Sequence, residues 1–289
     1  MTAWGWLALP PVLIWLLNRG IRHGLRAPRL PRQETPEGLP WQAVAIASQN
    51  GKMLRAWYIP GGRRALLLMH GWGGNAATLL PLAKHLHLAG YSLLLPDARC
   101  HGESDDDSFA SLPRFAEDIE SCLDWLAKQT EVDPQAIGLV GHSVGAGAAL
   151  LVASRRCDIR GVLSISAFAH PAAMMRRWLS TMHIPYWPLG AYILWYVQRV
   201  IGHRFDDIAP CRTIAQIACP VLLVHGCADL TVPLEEARQI AAASSAAQLL
   251  EVPGCHEDFG DIEAHLPKVL DFLDGAFGSR HQDEKKAGD

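Results

Sequence analysis

The chain has 289 residues, of which 49% are hydrophobic, and a formal net charge of −3 at pH 7. That content supplies a large core, and the length suits one wide sheet with helices on both faces plus an insertion. The slightly acidic balance excludes the basic footprint of a nucleic-acid-binding protein. Seven scattered cysteines without a C-x-x-C pair or a Cys/His cluster at zinc spacing argue against a disulfide framework and a cysteine-ligated zinc site.

Residues 1–24 carry an almost wholly apolar run, Ala3 to Leu17, followed by Arg19, Arg22, Arg26, Arg29 and Arg32 before the first acidic residue, Glu34. No basic residue precedes the run and no small-residue cleavage site follows it, so a cleaved secretory signal is not expected. The segment predicts a membrane anchor, either spanning with the arginines inside or lying in the interface against anionic lipid. Both forms put the following domain in the cytoplasm. The competing expectation is a soluble cytoplasmic protein whose first helix packs on its own body or on a second copy of the chain.

Residues 25–40, rich in proline and charge, predict a linker, and residues 41–277 a folded domain. Trp41 to Ser48 and Met53 to Ile59 form a hairpin pattern around Asn50-Gly51, and Ala65 to Met69 is a short apolar strand before His70-Gly71. Ala76 to Leu88 is helical, Tyr91 to Leu95 a strand, and Leu112 to Lys128 an amphipathic helix. Ala136 to Val140, Gly161 to Ser166, Pro220 to Val224 and Gln248 to Val252 are strand-length apolar runs, and a helix follows from about Asp261 to Leu273. Strands alternating with helices predict a doubly wound, mostly parallel sheet of the α/β class. Residues 167–218 interrupt that rhythm with Met174, Trp178, Trp187, Trp195 and other aromatics, and predict a helical cap over the strand ends. Residues 278–289 read as a disordered polar tail.

The chemistry centres on Gly141-His142-Ser143-Val144-Gly145, which follows an apolar strand and opens a small-residue helix. A strand turning sharply into a helix exposes its turn serine, and side chains in place of the glycines would collide there. Ser143 therefore predicts a nucleophile. Asp229, in HGCADLTVP, and His256, in VPGCHED, each lie just past a strand, in the order serine, acid, histidine. His256 would take the serine proton and Asp229 would orient the imidazole. The backbone N–H groups of Val144 and of Trp72, in the turn HGWGG, are the expected oxyanion donors. His70, His142, Met174, Trp178, Trp187 and Trp195 are the expected lining of the substrate pocket.

Together HGWGG, PDARCHGES, GHSVG, HGCADLTVP and GCHEDF resemble the α/β-hydrolase superfamily, from about Trp41 to Phe277. That resemblance implies an eight-stranded, mostly parallel sheet, a Ser-Asp-His triad, two-step acyl transfer, and no metal or organic cofactor. One departure stands out: relatives usually have glycine where Cys100 stands. The basic apolar N-terminus with a modest cap is similar to membrane-associated hydrolases of the lysophospholipase and acyl-esterase type. The expected activity is a serine esterase on a small acyl ester with an apolar portion. A serine peptidase stays open, with Glu103, Asp106 or Asp207 available to hold a substrate amine. So do a thioesterase and a catalytically idle, membrane-tethered interaction module, and the oligomeric state is left undecided.

Overall fold

The computed structural model describes residues 4–258 and 262–286, with backbone alone for residues 4–10, 262 and 279–286. The chain runs α1 (Trp4–Gly24), β1 (Gln42–Ala47), β2 (Met53–Ile59), β3 (Ala65–Met69), α2 (Leu80–Leu88), β4 (Ser92–Pro96), α3 (Leu112–Leu126), β5 (Ile137–His142) and α4 (Val144–Ala153). It continues through β6 (Ile159–Ile165), α5 (Pro171–Thr181), α6 (Ala191–Ile201), α7 (Pro210–Thr213), β7 (Val221–Gly226), α8 (Leu234–Ala242), β8 (Ala247–Val252) and α9 (Ile262–Lys286).

The eight strands form one sheet in the order β1-β2-β4-β3-β5-β6-β7-β8. The β1–β2 and β2–β4 pairs are antiparallel, and the pairs from β4–β3 onward are parallel. Asn50 and Gly51 make the first hairpin with φ of 59° and 66°. The central strands are apolar on both faces because helices cover both. On one side Phe115, Ile119, Ala148, Leu151 and Ile240 of α3, α4 and α8 pack against Leu67, Leu139 and Leu223. On the other, Leu80, Ala83 and Leu86 of α2 and Phe272 and Leu273 of α9 cover Leu66, Leu68 and Leu163. Glycines and alanines along α4 let it lie directly on the strands, and all ten residues of the helix are buried.

The insertion after β6 supplies α5, α6 and α7. Helix α9 continues to Lys286, across residues read from the sequence as a disordered polar tail; residues 287–289 lie outside the described part.

Helix α1 docks on the cap. The Asn18 side-chain oxygen accepts from the Tyr192 hydroxyl at 2.9 Å, and the Arg22 guanidinium donates to Tyr196 at 2.9 Å. Among the described residues no helix is long and apolar enough to cross a membrane. The spanning form of the anchor finds no support there: the apolar run Ala3 to Leu17 is interrupted by Pro10 and Pro11, and Asn18 and Arg19 end it. Val12, Leu13, Ile14, Trp15 and Leu16 are nevertheless exposed.

The segment after α1, expected as a linker, lies against the sheet domain as a strap. Leu25 accepts a backbone hydrogen bond from Ala110 at 3.0 Å. Leu30 and Pro31 carbonyls accept from the Asn75 amide at 3.2 and 3.3 Å. The Arg29 guanidinium donates to Ser104 O at 2.7 Å, and that of Arg32 reaches Asp97 at 3.0 Å and Glu103 at 2.9 Å.

Candidate active site

Three loops at the carboxyl ends of β5, β7 and β8 meet at one point, where open parallel sheets place their ligands. Ser143 sits between β5 and α4 with φ 53° and ψ −116°, a backbone region costly for a residue with a side chain. Two glycines permit that turn. A Cβ on Gly145 would lie 2.4 Å from the His70 carbonyl oxygen, and one on Gly141 would lie 2.4 Å from that of Gly145. Neither backbone could yield, so the spacing G-x-S-x-G is a packing requirement of this elbow.

The Ser143 hydroxyl lies 3.0 Å from His256 Nε2, and His256 Nδ1 lies 2.7 Å from Asp229 Oδ2. The other Asp229 oxygen accepts the Thr231 and Val232 N–H groups at 2.9 and 2.8 Å, which fixes the carboxylate plane. Burial alone would push the Asp229 carboxyl up, but hydrogen bonds from His256 and the Val232 N–H, with the nearby histidines, hold it below its ordinary value. With Asp229 ionised, Nδ1 carries the imidazole proton and Nε2 is left to accept from the serine. His142 Nε2 donates to the His256 carbonyl at 2.9 Å, tying the histidine loop to the nucleophile elbow. Burial holds His142 below its ordinary value.

Val144 is the first residue of α4, where backbone N–H groups have no intrahelical partner. Trp72 follows Gly71, and a Cβ on Gly71 would lie 3.2 Å from Ser143 Cβ. The HGWGG turn is thus pressed against the serine, and Trp72 and Val144, whose N–H groups are the expected oxyanion donors, line the same cavity as Ser143. His70 braces the turn from beneath, its Nδ1 2.7 Å from the Gly71 carbonyl and its Nε2 accepting the Ala98 N–H at 3.0 Å. Complete burial lowers the His70 pKa to about 3, so the ring is neutral. Cys100, in the neighbouring loop, has φ 67°, the left-handed region that favours glycine, which accounts for glycine being usual there in relatives.

Ser143 and His256 open onto a cavity of about 410 Å³ whose walls include Leu112, Phe168, Met175, Val197 and Phe205. Of the residues expected to line it, Met174 and Trp178 do. The other four do not, and that expectation is corrected: His70 is buried under the oxyanion turn, and His142 borders a separate cavity of about 290 Å³. Trp187, on the extended stretch between α5 and α6, and Trp195, on α6, are 78% and 49% exposed and stand outside the cavity wall. Glu103 and Asp106 are engaged by Arg32 and Arg29, and with Asp207 they stand outside the cavity wall. Glu257, missed from the sequence although it follows His256 directly, is the one carboxylate on that wall among the described residues. His142, His256 and Glu257 present ligand atoms within 4.8 Å of one another. His256 already spends both ring nitrogens on Ser143 and Asp229, so the cluster fits proton transfer better than a resident metal.

Residues 61–200 match the family model described as serine aminopeptidase, S33. The chain is 31% identical over 269 residues to an uncharacterized protein of Mycobacterium tuberculosis, covering 90% of this chain and 85% of that one. It is 26% identical over 251 residues to YfhR of Escherichia coli, covering 81% of each. Among solved structures, the Pyrococcus furiosus esterase Pf2001 superposes with a TM-score of 0.70 at 21% identity, over 88% of this chain and 98% of that one. Est1E of Butyrivibrio proteoclasticus, solved with ferulic acid bound, superposes at 0.63 with 23% identity, over 80% of this chain and 98% of that one. At such identities the structural likeness concerns the fold.

Proposed function

This chain is a hydrolase of the α/β-hydrolase superfamily, and from that premise we propose that it cleaves carboxylic esters with an apolar portion through an acyl-enzyme on Ser143. The observation that carries the proposal is the continuous line from Ser143 through His256 to Asp229, at 3.0 and 2.7 Å, opening on an apolar cavity.

In the first step the Ser143 oxygen attacks the ester carbon while His256 Nε2 takes the hydroxyl proton. Asp229 stabilises the resulting imidazolium through the Nδ1–H bond. Val144 and Trp72 N–H groups receive the negative carbonyl oxygen of the tetrahedral intermediate. His256 then returns the proton to the departing alcohol. A water repeats the sequence on the acyl-enzyme: His256 takes its proton, its oxygen bonds to the acyl carbon, and Ser143 leaves with the proton restored.

A peptidase reading has one specific support, the aminopeptidase description of the matching family, together with Glu257 on the cavity wall as a partner for a substrate amine. Turnover of p-nitrophenyl acyl esters compared with aminoacyl p-nitroanilides separates the two. Ester turnover exceeding anilide turnover supports the proposal, and the reverse overturns it. A thioester of the same acyl group would use the same machinery.

For localisation, we propose contact with a membrane surface through the exposed side chains Val12 to Leu16, with Arg19, Arg22 and Arg26 meeting anionic headgroups, against the alternative of a soluble protein. Loss of cosedimentation with anionic vesicles on deleting residues 1–20 is the expected result. Equal sedimentation with and without them would contradict it.

A further inference from the structure

The N-terminal segment, read from sequence as an anchor and linker, reaches the cavity that holds Ser143. Gly24 and Leu25, at the end of α1, line it together with Trp178, Met174 and Val197 of the cap. Leu25 is fixed by the hydrogen bond from Ala110, and its side chain packs with the core cluster on that face. Gly24 faces Trp178: a Cβ there would lie 3.6 Å from the indole Cη2, an ordinary contact, so anything larger than alanine must enter the cavity or displace the ring.

The strap beyond holds this wall in place. Pro28 lies so close to Gly73 of the oxyanion turn that a Cβ on Gly73 would be 2.9 Å from it. Asn75, in the same turn, is held by the Leu30 and Pro31 carbonyls. The end of α1 is therefore set relative to Ser143 by contacts on both sides of the cavity, rather than hanging from it by a flexible tether.

We propose that Gly24 and Leu25 are specificity-determining residues, forming the wall that limits how long an acyl chain the Ser143 cavity accepts. This rests on the Ser143 serine-hydrolase reading above. Removing wall atoms at Leu25 gives a longer chain room to stay out of water. Filling the space between Gly24 and Trp178 takes that room away.

The test uses the full chain and two series of probes, p-nitrophenyl esters and alkyl fluorophosphonates, each from two to twelve carbons. Readouts are the ratios of twelve-carbon to four-carbon kcat/KM and of the corresponding labelling rates. Leu25→Ala should raise both ratios, and Gly24→Phe should lower them, by roughly 10-fold, the scale on which an apolar pocket discriminates a methylene or two. Thermal melts establish that each variant is folded, and Leu25→Ala alone suffices if Gly24→Phe is not. Ratios unchanged from the wild type would overturn the inference. A wild-type protein that is labelled but hydrolyses no ester would sink the ester reading, while the labelling ratios still decide the wall. Absence of labelling in folded protein would overturn both.

Discussion

Replacing Arg32 by alanine would cut the strap from the sheet domain at its most buried point. The Arg32 side chain is 7% exposed and its partner Asp97 0%, with 3.0 Å between them. Asp97 would keep the Ala76 and Glu103 N–H groups, both at 2.7 Å, but lose its only charged partner among these contacts. Leaving a buried carboxylate without its cation costs about 3–5 kcal/mol, and the two remaining donors argue for the lower end. Loss of the guanidinium stacked 4.4 Å from the Trp57 ring centre adds about 1 kcal/mol. Urea unfolding should therefore register a loss of about 4 kcal/mol at pH 7. The loss should shrink in acid. Burial pushes the Asp97 carboxyl above its ordinary value even with Arg32 beside it, and removing the guanidinium raises it further. An acid with a raised folded-state pKa favours folding most below its unfolded value and loses that advantage as pH rises through the folded one. The variant is thus penalised more at pH 7 than near pH 4. Arg32→Lys, which keeps the charge but not the fork shared with Glu103 and the Arg55 carbonyl, should recover about half of the loss. A loss below about 1 kcal/mol at pH 7, the scale of an exposed pair, would refute the reasoning.

Asp229→Asn should lower kcat by about 10,000-fold through the wrong His256 tautomer while circular dichroism stays unchanged; a loss under tenfold would contradict its role. Gly145→Ala has no room against the His70 and Met69 carbonyls, at 2.4 and 2.5 Å, and should abolish activity and lower the melting temperature; a fully active variant would contradict the close approach. His70 and His101 are lowered by burial from 6.5 to about 3 and about 4. Between those values and 6.5 the unfolded chain binds more protons, so stability should fall as pH drops, by about 2 kcal/mol per histidine at pH 5. Urea midpoints measured from pH 7 to pH 5 check this, and His101→Gln should flatten the slope.

The sheet was legible because each strand is a short apolar run closed by a glycine, proline or polar turn, and parallel strands covered on both faces leave that pattern plainly. Ser143, Asp229 and His256 could be picked out because each follows its strand directly, so local sequence sets their position. The strap was illegible for the opposite reason. Its contacts, Pro28 with Gly73 and Arg32 with Asp97, join residues far apart in the chain, and a proline-rich charged stretch reads alike whether it is free or pinned. The cap aromatics show a related limit. Composition marks 167–218 as apolar, but only the folded path of the cap decides that Trp178 lines the cavity while Trp187 and Trp195 stand outside it. Glu257 and Leu25 gave no composition signal, since each is a single residue whose meaning comes from the cavity beside it.

The central claim is that Ser143 is an activated nucleophile. Its most direct test is fluorophosphonate labelling of the purified chain, with mass-spectrometric mapping of the modified residue and Ser143→Ala as control. Modification confined to Ser143 and absent from the variant is the expected result. Folded wild-type protein left unmodified, or labelled equally in Ser143→Ala, would contradict the account.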